Sequence, residues 1–556
     1  MPGGGGGFGN GGDAEEVVKN RFLGFLLWQS VQSSVIYFLC KSLLLSPFTP
    51  NPFSPSITGF LAFIIFHLSL LLFSTSLFAV ASPQPHSPAS PLELALNLIR
   101  LVFVSGGQPP PLEFRRRARI SLTFVLFLTA SSLSSFLSLL CVCWNCFDDS
   151  VGRNYYWRRL LGKLGFRGLA VGFFYGLWYL YKRRWILQFP IIQRPPFFSF
   201  KMGLSSATLQ ALKLSIAVYF FSTVLSFFLP YEFMGQATMG KVLAEHVVFY
   251  IAVFVIFLCW ELNHHLHQVL HTKRFMFAPA KGSAAAETNP SEPLLAALEE
   301  STPRSLVQYL AYLDLCMVCE SNVDTWRRAA FFEETGETYK QVIAICLRPL
   351  EQFASKLEEG LESSSIGKSF QLDHQLRLPA DSRLGSRLYE LFEDLQLCAW
   401  CAQIVASLTI HSHKEDRFGV AQLSGSNSAV ISTLLSCLLA VETFMGKKNS
   451  LQSSQSITGS AGIKWATTST GRREAAGIGL AAGKRKGSPL YSKAYGVADI
   501  LRTSIYNIVS AFHDEMVISA KAGLLDKEWI TTSKPVYGTH ELLSHKLRLF
   551  LDFQAN

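Results

Sequence analysis

Histidines at 264, 267 and 271, with His265 adjacent, would share one side of a helix and present three imidazoles in a geometry adequate for a metal ion. A membrane di-iron oxygenase needs several such boxes, and no second one occurs. His411 and His413 stand together, whereas His67, His86, His246, His374 and His513 are isolated. His540-Glu541 followed by His545 has one residue too many for the zinc-protease pattern, in which both imidazoles share a helix face. We expect an interfacial polar helix end here and no metal. The CxxC pairs Cys316/Cys319 and Cys398/Cys401 lie inside apolar helical runs, LDLCMVCE and LQLCAWCAQIV, without the turn residues that let four thiolates converge. They are expected to be small buried hydrophobes. A glycine-rich stretch from Gly477 to Lys484 has the wrong spacing for a phosphate loop, lacks a following Ser or Thr, and follows no strand. No catalytic residue, cofactor or small-molecule substrate is therefore expected.

These residues are positioned by a chain with two regimes that meet between Lys241 and Arg274. Val242 to Leu262 is a run of mostly Val, Ile, Phe and Leu, about 20 residues long, which matches a hydrocarbon core roughly 30 Å thick. It runs into a polar His-rich turn that ends at Lys273 and Arg274. Five earlier spans are expected at Phe22 to Leu45, Ile57 to Ala81, Ile120 to Trp144, Leu164 to Tyr181 and Ala211 to Tyr231. The first carries Gln29, Ser30, Gln32, Ser33 and Ser34 in its middle and should face the bundle. Leu92 to Val104 is too short to cross and either packs on the bundle or lies in the interface. Arg-rich loops after spans two and four place both termini on the cytoplasmic side, although Arg153, Arg158, Arg159 and Lys163 then fall in a lumenal loop. Ionisable groups keep to span ends, with Glu261, Lys213, Glu245 and His246 as examples, so ion-coupled transport and intramembrane catalysis are not expected.

The fourth span carries Gly168, Gly172 and Gly176 at four-residue intervals, one smooth helix face of the small-xxx-small type that lets a neighbour approach closely. Glycine is also simply common in spans.

Beyond Lys281 the composition becomes that of a soluble helical protein. Helices are expected from Pro303 to Glu320, Thr338 to Gly360, Arg383 to His411 and Ser424 to Met445, and no alternating strand run appears. The expected organisation is a disordered Gly-rich start (1–20), a six-span domain (21–274), a linker (275–302), a cytoplasmic helical domain (303–445), a disordered basic insertion (446–489) and C-terminal helices that dock back on the domain (490–556). The fold class is all-α: a polytopic bundle of about six transmembrane helices, then a cytoplasmic all-α domain.

The 556 residues carry a formal charge of +10, and the basic residues cluster beside apolar spans, which makes anionic membrane lipid a nearer partner than nucleic acid. Cysteines inside spans and the lack of a glycosylation sequon argue against a disulfide-bonded ectodomain. Trp326, Arg327, Arg328, Phe331 and Phe332 form a candidate partner-contact patch, aromatics beside arginines being enriched at interface cores; a core helix with a basic edge is the competing reading.

The order of six spans, then LVQYLAYLDLCMVCE, then Trp326-Arg327-Arg328 with Phe331-Phe332, then YKQVIAICLRPLEQF, resembles the Ndc-type transmembrane nucleoporins and looks like a plant member. The resemblance implies a protein of the nuclear envelope that anchors the pore scaffold where inner and outer membranes fuse. Its partners would be inner-ring scaffold and linker nucleoporins, and it implies no catalytic residues. The competing class is a polytopic endoplasmic-reticulum membrane enzyme with a metal site at the histidines.

Overall fold

The computed structural model describes residues 12–48, 57–85, 88–90, 92–95, 112–143, 146, 164–190, 193–226, 239–279, 282–300, 305–369, 392, 395–455, 489–531 and 533–555. Among them every regular element is helical, and extended backbone pairs only in a parallel bridge between Ser82 and Ile186. The chain divides into two compact units, one of Gly9–Phe275 with Ser301–Leu310, the other chiefly of Met276–Glu300 with Ala311–Asn556. The loop carrying Arg153 to Lys163, most of Leu92 to Val104 and the glycine-rich stretch at 477–484 lie outside the described residues.

The first unit is a bundle of six helices: α1 (Gly12–Leu39, ending in a π turn at Cys40–Leu44), α2 (Ile57–Val80), α3 (Leu112–Val142), α4 (Gly165–Tyr181), α5 (Pro196–Ser226) and α6 (Met239–His271). Side chains tie the helix ends and fix how they alternate. Arg21, at the start of α1, donates to the carbonyls of Leu270, His271 and Lys273 at the end of α6. Ser82, just past α2, exchanges backbone hydrogen bonds with Trp185 and Leu187, just past α4. At the opposite end Lys41 Nζ donates to the Val142 carbonyl, 2.7 Å, so α1 and α3 finish together. The contacts to Leu270, His271 and Val142 satisfy carbonyls that a helix C-terminus leaves without partners.

Several helices extend past their apolar cores. α1 begins at Gly12, inside the stretch expected to be disordered, and α3 begins at Leu112, so that Arg115 to Arg119 are helical. α5 starts at Pro196, where proline suits a first turn, rather than at Ala211. At about 46 Å it exceeds a core of roughly 30 Å. Its first turns fell outside the expected span because Lys201, Ser205 and Ser206 interrupt the apolar residues Phe197, Phe198, Phe200, Met202 and Leu204. Of the mid-span polar groups in α1, Gln29 and Ser33 are buried, Gln32 bonds to Asn263 of α6, and Ser33 and Ser34 hydrogen-bond to His67 in α2, whereas Ser30 is exposed.

The second unit is built from α7 (Ala284–Thr288), α8 (Glu292–Glu300), α9 (Leu306–Glu320, from Ala311 onward), α10 (Thr325–Ala329), α11 (Glu337–Ser369), α12 (Leu395–Glu415), α13 (Val420–Leu423), α14 (Ser426–Gln455), α15 (Pro489–Ala511), α16 (His513–Lys521), α17 (Leu525–Trp529) and α18 (His540–Ala555). α11 packs on α14 and α12 on α15, and the stripe Val497, Leu501, Ile505 and Ile508 of α15 is buried. Pro349 lies inside α11 and removes one helical N–H, which leaves the Ile345 carbonyl without its usual donor. The Tyr312 hydroxyl of α9 donates to that carbonyl at 3.3 Å. α14 continues to Gln455, past the start of the stretch expected to be disordered.

Seven of the described helices are long and apolar enough to cross a membrane, and two of them, α12 and α14, belong to the second unit. Their apolar windows are 61% and 72% buried, against 22–44% for the five in the bundle, so α12 and α14 are core helices whose apolar surface is covered by protein. α4, with 17 residues, is about 25 Å long, and the basic run Lys182 to Arg184 at its end can snorkel to the interface.

Candidate functional site

The glycine face of α4 lies directly on α3. A Cβ at Gly168 would stand 3.1 Å from the Phe136 Cα, at Gly172 2.6 Å from the Ser132 Cα, and at Gly176 2.7 Å from the Ser131 Oγ. No side chain fits at Gly172, because the nearest atoms are backbone. The opposing α3 surface is small too, with Ser131, Ser132 and Ser135. Around α3 from this seam, Ser134 Oγ donates to the Ser69 carbonyl at 2.7 Å and Ser138 Oγ pairs with Ser69 Oγ at 2.5 Å. α3 thus packs on one side through glycine and on the other through serine hydroxyls that bond to α2. The serine spacing in TASSLSSFLSLL carried that signal in the sequence.

The histidines differ from expectation. α6 runs unbroken to His271, so there is no turn, and His264, His267 and His271 are 8%, 1% and 1% exposed, covered by protein and not by solvent. His264 Nδ1 lies 3.2 Å from the Tyr179 hydroxyl; His267 and His271 stack with centroids 4.0 Å apart against the edge of Phe25. Among the described residues no three His, Cys, Asp or Glu side chains are placed to hold a metal ion. One turn earlier, Glu261 is buried and accepts from Arg184 at 2.6 Å and from the Tyr175 hydroxyl at 2.9 Å. Sequence reasoning placed Glu261 at a span end without a partner. The available signal was an arginine in the basic run that closes α4.

In the second unit the segment 326–332 packs mostly inward. Arg327 is 1% exposed and forms a two-pronged pair with the fully buried Asp314, at 2.8 and 3.3 Å. Both groups also grip one peptide: Arg327 donates to the Phe277 carbonyl and Asp314 accepts from the Phe277 N–H. Arg328 clamps Glu415, at 2.6 and 3.0 Å, and donates to the carbonyls of Cys319 and Ser321. It thereby closes the C-terminus of α9 against that of α12. Phe331 and Phe332 are buried, and Trp326 alone of the five is exposed. A surface patch of all five therefore does not form.

All eleven cysteines are free and buried. Burial pushes the Cys316 and Cys319 thiols of α9, and the Cys401 thiol of α12, well above the ordinary range. They stay protonated at neutral pH and are poor nucleophiles and metal ligands.

Compared with protein families, the chain matches the family of the nucleoporin protein Ndc1-Nup over residues 16–384 and 378–516, nearly its whole length, and belongs to that family. No curated protein matches it. It is a transmembrane nucleoporin, associated with the membrane and with nuclear pore components.

Proposed function

We propose that this nucleoporin anchors the pore scaffold in the pore membrane and supports pore assembly, with the bundle as the membrane anchor and the helical unit as the docking face for inner-ring scaffold and linker nucleoporins. The division into two units, each with its own core, is the observation that supports this reading most. We assign residues 1–274 to membrane residence and 303–556 to most partner binding; the stretch 275–302, expected to be a linker, instead contributes Phe277, Leu294 and Leu298 to the core of the helical unit. Both termini are assigned to the cytoplasmic, pore-facing side. In support, Arg21 and Lys273 meet at one end of the bundle, as an even number of crossings requires. Of the candidate contact residues, Trp326 is the one whose side chain a partner can reach directly. Imaging a tagged full chain tests the anchor. A punctate nuclear rim is expected, and a uniform reticular pattern would sink the proposal. Proximity labelling from the C-terminus should mark other nucleoporins and weaken when residues 303–556 are deleted.

A further inference from the structure

A cavity of about 750 Å³ opens in the bundle between the end of α4, the segments 182–190 and 193–195, the first turns of α5 and the last turns of α6. Its volume lies within the range of roughly 300–1,000 Å³ typical of small-ligand sites. The lining includes Lys182, Arg183, Arg184, Arg194 and Lys273 against one acid, Glu261, an excess of four positive charges. Glu261 itself is already engaged by Arg184 and Tyr175. Such a balance in a concave site favours an anion, and serine hydroxyls at 199 and 206 add donors of the kind a phosphate accepts.

Two details show that this region is constructed for close approach. At Gly203 any Cβ would overlap the His265 ring, so glycine lets α5 and α6 meet in the wall of the cavity, where His265 Nε2 bonds to the Ser199 carbonyl at 3.2 Å. Arg183 is the sole non-glycine residue with positive φ among those described, at 52°. It occupies the left-handed position of a helix stop in which Arg184 N–H reaches back to the Tyr179 carbonyl and Arg183 N–H to the Leu180 carbonyl. Glycine is the usual residue there. An arginine held in that conformation keeps a guanidinium at the mouth of the cavity.

Depth is set by the neighbours. Tyr181 and Phe197 are strongly exposed on either side of the cavity, as aromatics of a membrane-interface belt are. Lys182 to Arg184 follow the end of α4 and Lys273 follows the end of α6, which in the membrane-anchor reading puts the cations at headgroup level. Resting on the membrane-anchor reading, we propose that this cavity binds a phosphate-bearing anion at the membrane surface, the chemistry shared by an anionic phospholipid headgroup and a free phosphate; basic pockets between transmembrane helices recognise such headgroups.

The test uses the full chain. Flotation with phosphatidylcholine vesicles is measured first, and failure to float would remove the membrane reading itself. Heat protection of the chain in phosphatidylcholine nanodiscs is then titrated with phosphatidylinositol 4-phosphate in one arm and inorganic phosphate in the other. Half-saturation should weaken about fivefold in Arg183→Gly and on the order of 100-fold in the triple variant Lys182→Gln, Arg194→Gln, Lys273→Gln, at about one surface charge's worth each. Arg183→Gly suits the backbone at that position, so its folding is not in question. Protection by the lipid alone supports the site and assigns the headgroup as its source; protection by inorganic phosphate alone supports it and assigns a free anion. A floating chain that neither anion protects, or variants that are protected like the parent, would overturn it.

Discussion

The bundle and the helical unit use the same material in opposite ways. Both contain helices apolar enough to cross a membrane, yet α12 and α14 spend that surface on their own unit's core, whereas α1, α2 and α5 leave large apolar side chains such as Leu27, Ile57, Phe60 and Phe220 facing outward. Charges differ in parallel. In the bundle the guanidinium–carboxylate pairs Arg184–Glu261 and Arg117–Glu93 both keep a partly exposed arginine. The helical unit seals Arg327 and Asp314 almost completely. The lesson is that apolar length does not distinguish a span from a core helix; what covers the helix does.

The sharpest way to break this comparison is to leave one buried charge alone. Arg327→Met should destabilise the helical unit by about 3–5 kcal/mol, because Asp314 would keep its burial without its partner. Thermal unfolding of the full chain in detergent, followed by proteolysis of residues 303–556, reads the loss. Adding Asp314→Leu should restore much of it, and failure to do so would mean that the pair's bonds to Phe277 matter more than its charge.

Next in size is the glycine seam. Gly172→Leu should cost about 1–3 kcal/mol through overpacking, since backbone of α3 occupies the space. Crosslinks between cysteines introduced on lipid-facing positions of α3 and α4 should fall, while proteolysis of the helical unit stays unchanged. Equal crosslinking would show that the seam tolerates separation.

A stabilising change comes third. Arg183→Gly should raise the bundle's stability by about 1 kcal/mol by relieving a left-handed non-glycine residue, and a melting point in phosphate-free detergent measures it. A lower melting point would mean that the side chain contributes more to packing than its backbone strain costs.

The smallest effect is a pH response confined to the helical unit. Hydrogen bonds from Thr338 hold the Glu333 carboxyl below its ordinary range, and Thr335 adds another. A carboxylate lowered in the folded state contributes stability above its unfolded pKa and loses it as pH falls through the lowered value. Glu333→Gln should therefore cost about 0.5 kcal/mol at neutral pH after solvent screening, and the two proteins' melting points should converge in acid.

The class of fold was legible because it depends on composition over long windows: apolar runs for the bundle and period-3.6 stripes for α15, whereas the helix start at Pro196 was missed because Lys201, Ser205 and Ser206 interrupt the apolar run there. The glycine triplet was visible as a face, but its partner was hidden in a serine-rich run that reads simply as polar. Segment 326–332 shows the limit most clearly. Arginine beside aromatics suits an interface or a buried clamp equally well, and the choice depends on Asp314, Phe277 and Glu415, which lie up to 87 residues away. Likewise, three imidazoles on a helix suggest a ligand set until Tyr179, Phe25 and each other are found against them.

The guanidinium of Arg21 meets a carbonyl 250 positions further along the chain. At synthesis rates of about 5–20 residues per second that carbonyl is made on the order of 10–50 s later. Throughout that interval α1 is already in place, and the end of the bundle where Ser82 and Trp185 also join stands unlatched. Closure of the bundle is thus tied to the arrival of α6, its last helix, and is possible before the helical unit that follows has been made.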